Sequence, residues 1–423
     1  MPEGQPGDRK ALKHFTIKHG APAPNDPAPV QRITGTVAPT SVALMGEDFP
    51  GLRPKFLVTV GARVTQGQTL FTDRKEPRIA HVSPVSGVVT ELSYGPRRTL
   101  STCILSTSDD VSPAQTPVLP DTASHNAPRD TLLARGFWPA FRTRPFGRTP
   151  AADETPDAIV VNAVHAASQA PDPSVVLDDQ RQAFALGIEW LTRLIEGKVH
   201  ICQSPGDPLG PAGPQITHTS FIGTTAAGLT GTQVDRLCPV DQGGRVWTIG
   251  YQDVAAIGHL FATGLYTADR VVSITGPAAG KPMLVRCALG ASIADFSAIQ
   301  GNLALSGDRI TGREALFLGR FDTQVTLLPR VARRPEKNWL SRHLFRQNAL
   351  IPTRAVEHAM ALDLLTVPLL RALSVGDSEA AANLGCLGLV EEDLAALSRT
   401  CTSGADYGEL LRRVLDDLMA EAA

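Results

Sequence analysis

Between residues 137 and 146 the chain reads FWPAFRTRPF, the densest mix of aromatic and cationic side chains in its 423 residues. Arginine forks pair with carboxylates and phosphates, and aromatic faces stack on planar rings. Phe137, Trp138, Phe141, Arg142 and Arg144 are therefore candidates for gripping an anionic or planar ligand. The same residues fit a loop anchored by buried aromatics, which is the commoner arrangement, and the sequence leaves both open. A second stretch, HTSFIGTTAAGLTG at 218–231, bears glycines but has neither the G-x-G-x-x-G nor the Walker spacing, so it makes only a weak phosphate cradle.

Other chemistry is hard to assemble. The ten histidines show no H-E-x-x-H spacing, and the six cysteines, at 103, 202, 238, 287, 386 and 401, contain no C-x-x-C. Cys386 and Cys401 alone are near enough in sequence to share a small domain. No pair of acidic residues is singled out by spacing. The expectation is no catalytic residue and no metal site in this chain, which then supplies scaffold and surface to an assembly whose cofactors lie elsewhere.

Composition narrows the classes. Forty Lys and Arg against 42 Asp and Glu give a net charge of −2, so there is no nucleic-acid footprint. Scattered cysteines suit a reducing, cytosolic compartment. No segment approaches the roughly 20 apolar residues of a membrane span, and the first fifteen residues lack the apolar core of a signal peptide. The expectation is a protein that is soluble, or peripheral to something else.

Along the chain, residues 1–40 read as an extended N-terminal arm, rich in Pro and Ala. Residues 41–106 form an all-β module. The pieces 58–60, 69–71 and 88–89 favour strands, and Gly61, Gly67 and Gly87 mark turns. Its Pro-Val-Ser-Gly turn at 84–87 is similar to the barrel-sandwich hybrid of biotinyl and lipoyl carriers, without an attachment lysine. A Ser/Pro/Asp linker covers 107–129. Residues 130–281 alternate strand and helix: an apolar run at 158–163, a helical stripe of Phe184, Ile188, Leu191 and Ile195 capped by Asp178 or Asp179, a strand at 199–202, a strand at 246–249 and a helix from Gln252. That is the pattern of a Rossmann-like domain, with 270–274 as a strand that closes its sheet. A β-grasp-like domain is expected at 282–330, a basic linker with Trp339 and Phe345 at 331–350, and a helical domain at 351–423 with Pro368 as an interruption or kink.

Eight stretches, in order, resemble the A subunit of the sodium-translocating NADH:quinone oxidoreductase family. They are GLRP at 51–54 with Gly61 and Gly67, SPVSG at 83–87, RGFWPAFRTRPF at 135–146, IEGKV at 195–199, YQDVAAIG at 251–258, DRVVS at 269–273, LGAS at 289–292, and LGCL at 384–387 with EEDLA at 391–395. The resemblance implies a peripheral subunit on the cytoplasmic face of the bacterial inner membrane, within a complex that oxidises NADH, reduces ubiquinone and exports Na⁺. It implies a multidomain α/β fold similar to the FMN-binding subunit of complex I, with the flavin loop and cluster cysteines lost. The complex uses NADH, FAD, FMN, riboflavin, iron–sulfur clusters and ubiquinone, and the resemblance puts none of these cofactors on this subunit. Its partners are the other subunits, especially the membrane-embedded B subunit; ubiquinone touches either this chain, where Phe137, Trp138, Phe141, Arg142 and Arg144 are the candidate contacts, or only the membrane neighbour.

Two departures bear on that reading. The family's Gly-Pro-His-Pro-Ala-Gly-Leu is here GTTAAGL at 223–229, so no histidine role carries over. Leu397 stands where the family often has a further cysteine, which weakens a redox role for Cys386 and Cys401. Two alternatives compete: a stand-alone soluble oxidoreductase using flavin or quinone, which needs 218–231 to cradle a phosphate, and an Rnf-type electron-transfer subunit, which needs the absent cysteine runs.

Overall fold

The computed structural model describes residues 12–108, 127–240, 243–296, 301–330 and 349–422. Trp339, Phe345 and most of the two linkers lie outside them. Two six-stranded sheets, a small β sandwich and a helical unit make up the described chain.

The first sheet orders its strands Lys13–Ile17, Ile216–Gly223, Lys198–Gln203, Ala158–Ala163, Val246–Gly250 and Arg142–Arg144. All neighbours are parallel except the last pair. Parallel strands buried on both faces read as near-continuous apolar runs, and Ala158–Ala163 and Val246–Gly250 do so but for Asn162 and Thr248. Helices Arg181–Thr192 and Tyr251–Thr263 pack against each other with very close backbones. A Cβ on Gly258 would stand 1.7 Å from the Ala183 carbonyl oxygen, and one on Gly187 would stand 2.1 Å from that of Val254.

The second sheet orders Arg313–Glu314, Asn302–Ser306, Gln324–Pro329, Asp269–Thr275, Met283–Ala288 and Ile33–Thr36. The strand expected to close the parallel sheet, 270–274, sits here instead. It pairs antiparallel with Met283–Ala288 and parallel with Gln324–Pro329. Residues 265–268 alone separate it from helix Tyr251–Thr263 and its Gly264 cap, and the chain leaves the first sheet there. Within the expected N-terminal arm, residues 12–40 are likewise more than an arm. Lys13–Ile17 extends the first sheet and Ile33–Thr36 the second, each capturing ladder hydrogen bonds that a free arm would leave to water. Between those strands the chain lies across other surfaces: Gln169 Nε2 donates to the carbonyls of Pro24 and Asp26, both at 2.8 Å.

The β module is a sandwich of a four-stranded sheet (Ser41–Met45, Leu100–Thr107, Gly87–Tyr94, Arg63–Val64) and a three-stranded one (Pro54–Phe56, Thr69–Asp73, Ala80–Val82). Leu70, Phe71, Cys103 and Leu105 fill its core. Residues 58–60 are loop, not strand, because the ladder partners of Thr69–Asp73 are Pro54–Phe56. In the helical unit, Pro368 stands in the first turn of Thr366–Val375 and neither kinks nor interrupts it. An amide there has no intrahelical acceptor, so proline removes nothing. Asp377 caps the next helix through Ala380 N at 2.9 Å. Neither Asp178 nor Asp179 caps Arg181–Thr192, whose N-cap residue Gln180 gives no side-chain bond. Asp179 is instead paired with Arg286 at 2.9 Å.

Candidate functional site

A cleft of about 280 Å³ opens at the carboxyl ends of Ala158–Ala163 and Val246–Gly250, where the two large sheets and the helical unit meet. Parallel sheets place ligand crevices at that end of their strands. Its charged lining comes from three units: Arg142 and Asp253 from the first, Arg270, Asp308, Arg320 and Asp322 from the second, and Glu392 from the helical unit.

Asp253, in the first turn of Tyr251–Thr263, is the hub. It accepts from Arg270 Nη2 and, at 2.8 Å, from Arg320 Nη2. Burial works against its charge, but the two guanidiniums outweigh it and hold the carboxyl below the usual range. Asp322 goes the other way. Burial lifts its pKa to about 6, although Ser306 donates to it and Arg313 attracts it. Arg142 pairs with Glu392 at 3.1 Å and lies over the Phe321 ring at 5.0 Å.

Of the five residues read as ligand contacts, the structure brings only Arg142 to this cleft. Phe137, Trp138 and Phe141 are buried. Trp138 and Trp247 meet edge to face at 5.2 Å, Phe141 lies 5.3 Å from Trp247, and Phe137 packs on Tyr266 at 5.1 Å. Trp138 Nε1 donates to the Pro150 carbonyl at 2.9 Å. Arg144 is buried and faces Asp393. The aromatics thus pack behind the edge strand Arg142–Arg144 and hold it in place. The anchored-loop reading accounts for four of the five.

The 218–231 stretch has much of its backbone already engaged. Its first part is strand Ile216–Gly223 and its last part enters helix Thr230–Leu237. A phosphate cradle needs free amides, but here Thr224, Thr225, Ala227 and Leu229 donate theirs to Ile17, Ala21, Thr224 and Ala226. The carbonyl of Gly228 is taken by Asn162 Nδ2 at 2.7 Å. Among the described residues no group of three or more His, Cys, Asp and Glu is placed to hold a metal ion. Cys386 and Cys401 share the helical core, where burial pushes the Cys386 thiol up to about 12.

The sequence reading missed Asp253, Arg270 and Arg320 as a unit. Its one visible signal was an arginine inside an otherwise apolar strand, at DRVVSIT. Such a charge needs a buried partner.

Comparison with known proteins covers nearly the whole chain. Residues 15–108 match the NqrA N-terminal barrel-sandwich hybrid domain, and residues 123–266 match the NqrA second alpha/beta domain. The A subunit of the Na(+)-translocating NADH-quinone reductase of Klebsiella pneumoniae (strain 342) is 38% identical over 96% of this chain and 99% of its own. That of Pasteurella multocida is 36% identical over 96% and 100%. A solved NAD+-reducing [NiFe]-hydrogenase in the air-oxidized state overlaps 70% of this chain and 62% of its own at 12% identity, with a TM-score of 0.35, too loose a likeness to carry an argument. No described helix is long and apolar enough to cross a membrane. With both halves of its N-terminal 266 residues matched and relatives aligned end to end, the chain belongs to the NqrA family, the A subunits of the Na(+)-translocating NADH-quinone reductase.

Proposed function

We propose that this chain is the peripheral, cytoplasmic-face subunit of a sodium-pumping NADH:ubiquinone oxidoreductase, in which it supports quinone reduction and assembly of the complex. The observation that carries this is the end-to-end identity of 36–38% with such subunits. NADH, FAD, FMN, riboflavin and the iron–sulfur clusters belong to other subunits, and the principal contact is the membrane-embedded B subunit. The first six-stranded sheet serves as a Rossmann-like domain and the second as a β-grasp-like one, in the manner of the FMN-binding subunit of complex I. The occupied amides around 224–229 favour this non-flavin reading over a stand-alone oxidoreductase.

If ubiquinone touches this chain, it does so at the rim where Arg142 lies over Phe321. A cation and a ring face there can orient a carbonyl and pack a headgroup. The buried aromatics behind Arg142 position it.

The test is deletion and restoration. Membranes lacking this chain are expected to lose NADH-driven Na⁺ transport and quinone reduction, and to regain both when it is supplied. A purified chain that shows flavin or iron absorbance and reduces quinone alone would overturn the reading in favour of a self-contained oxidoreductase.

A further inference from the structure

One edge of the β sandwich carries an apolar strip that no described part of the chain covers. Leu57 is 54% exposed, Val60 61% and Tyr94 43%. Their chain neighbours tie them to one strand, Gly87–Tyr94. The Phe56 ring meets the Tyr94 ring at 5.2 Å. Gly61 N donates to the Val89 carbonyl at 2.8 Å, and Val89 N to that of Ala62 at 3.0 Å. Residues 61–64 therefore run beside strand Gly87–Tyr94 in the opposite direction, and the loop 57–60 leads into them from Leu57, whose N donates to the Leu70 carbonyl at 2.9 Å, with Leu57 and Val60 exposed. Exposed aliphatics on their own are ordinary.

The charge around them is not. Lys55, Arg63, Arg97 and Arg98 are exposed, and each lies within a few residues along the chain of Leu57, Val60 or Tyr94. Arg97 and Arg98 occupy a left-handed turn, at φ 55° and 61°, and the Arg98 guanidinium lies 5.4 Å from the Tyr94 ring. None of the four pairs with a carboxylate among the described residues. The exposed acid of the strand, Glu91, is engaged by Thr102 Oγ1 at 2.8 Å on the neighbouring strand. From residue 53 to 100 the sequence holds eight Arg and Lys against three Asp and Glu, a net +5 within a chain of −2.

We propose that this edge docks on an anionic lipid bilayer. A bilayer satisfies both features without a matched shape. Hydrocarbon receives Leu57 and Val60, the headgroup level suits Tyr94, and lipid phosphates meet the four cations. An acidic protein surface would satisfy the cations but would need a fitted apolar recess for the aliphatic pair. The inference deepens the proposed peripheral location and rests on it for its setting.

The test is co-sedimentation of the full chain with vesicles of phosphatidylcholine alone and of phosphatidylcholine with an equal part of phosphatidylglycerol. The chain is expected to pellet with the anionic vesicles, to be released by added salt, and to stay in solution with the neutral ones. R97Q/R98Q is expected to weaken binding about 25-fold, from roughly fivefold per charge near an anionic surface. L57S/V60S weakens it as well, and both variants keep the wild-type thermal melt because their side chains are exposed. No sedimentation with either vesicle, or unchanged sedimentation of both variants, overturns the proposal. So does a chain that ignores vesicles but loses copurification with its complex on R97Q/R98Q, which assigns the edge to an acidic protein. Vesicle binding is read without the complex, so its failure is distinct from failure of the deletion test above.

Discussion

Arg144 and Asp393 face each other at 3.9 Å with neither side chain exposed, and they tie the edge strand of the first sheet to the helical unit. Arg144 also donates to Thr230 Oγ1 at 2.9 Å, and Asp393 accepts from Val390 N at 2.9 Å. Gly231 makes the room, since a Cβ there would stand 2.4 Å from both Asp393 oxygens. Around this pair Arg142 meets Glu392, and Arg412 meets Glu391. These ion pairs flank an apolar seam, in which Phe221, Ala227 and Val234 of the first unit share one buried cluster with Leu369, Leu394 and Leu411 of the helical unit.

Breaking one side of that pair is expected to cost more than removing both. Arg144→Met strands a buried carboxylate and should destabilise by about 3–5 kcal/mol at neutral pH. Arg144→Met with Asp393→Leu should recover most of that loss. Burial already lifts the Asp393 pKa to about 6 against the pull of Arg144. The native state therefore binds that proton more tightly than the unfolded one, and this group's contribution to stability rises as pH falls from about 6 towards 4. The gain should be larger in Arg144→Met. Urea unfolding of the four-member cycle at two pH values checks both statements.

Asp253→Asn should be as damaging as Arg144→Met. It leaves Arg270 and Arg320, both buried, without their shared counter-charge. A loss of about 3–5 kcal/mol is expected. Because the hub joins the first sheet's helix to the second sheet, limited proteolysis should then cut between the units before either unfolds. Cutting that follows global unfolding would show that the hub does not couple them.

The aromatic segment separates packing from ligand contact. Trp138→Phe loses the bond to the Pro150 carbonyl and should cost about 1–3 kcal/mol, with quinone kinetics unchanged. Arg142→Ala should raise the KM for ubiquinone in the assembled complex and change stability less. Its pair with Glu392 is not fully buried, at 17% and 31% side-chain exposure. Unchanged quinone kinetics in Arg142→Ala would remove this chain from the quinone site.

Sequence legibility followed the range of the interaction. The β module and the Phe184–Leu191 stripe depend on neighbours in the chain, and both could be read from it. The strand Asp269–Thr275 could not be assigned to its sheet. Its apolar run suits either sheet, and only pairing with residues 283–288 and 324–326 decides. The cleft was the least legible part. Asp253, Arg270 and Arg320 are distant in sequence and lack a motif, whereas the conspicuous aromatics at 137–141 proved to be core. Composition marks a dense cluster, but it does not say which way the side chains face.

The close approach of two helices gives a further expectation. Gly258 has a Cβ position 1.7 Å from the Ala183 carbonyl oxygen and 2.7 Å from Gly187 N, both backbone atoms that cannot rotate away. Gly258→Ala should therefore separate the helices and destabilise by about 1–3 kcal/mol, despite alanine's better helix propensity. Gly35 has nothing within 4 Å of its Cβ position, so Gly35→Ala serves as the control and should stay within about 0.5 kcal/mol of wild type. Equal melting temperatures for the two variants would contradict the packing.

His81 sets the acid limit of the junction between the β module and the rest. It is stacked on Phe71 at 4.7 Å and edge-on to Phe49 at 4.9 Å. Burial, and then the nearby Arg320 charge, lower its pKa to about 3. The unfolded chain takes up this proton near pH 6.5, whereas the native one stays neutral until about pH 3. Its contribution to stability is therefore full above about pH 6.5 and is lost progressively as pH falls towards 3. His81→Phe keeps a ring in the stack and removes the titration. The variant should match wild type within about 1 kcal/mol at pH 8 and exceed it increasingly below pH 6. Parallel melting curves for the two proteins across that range would show that His81 is solvated and titrates normally.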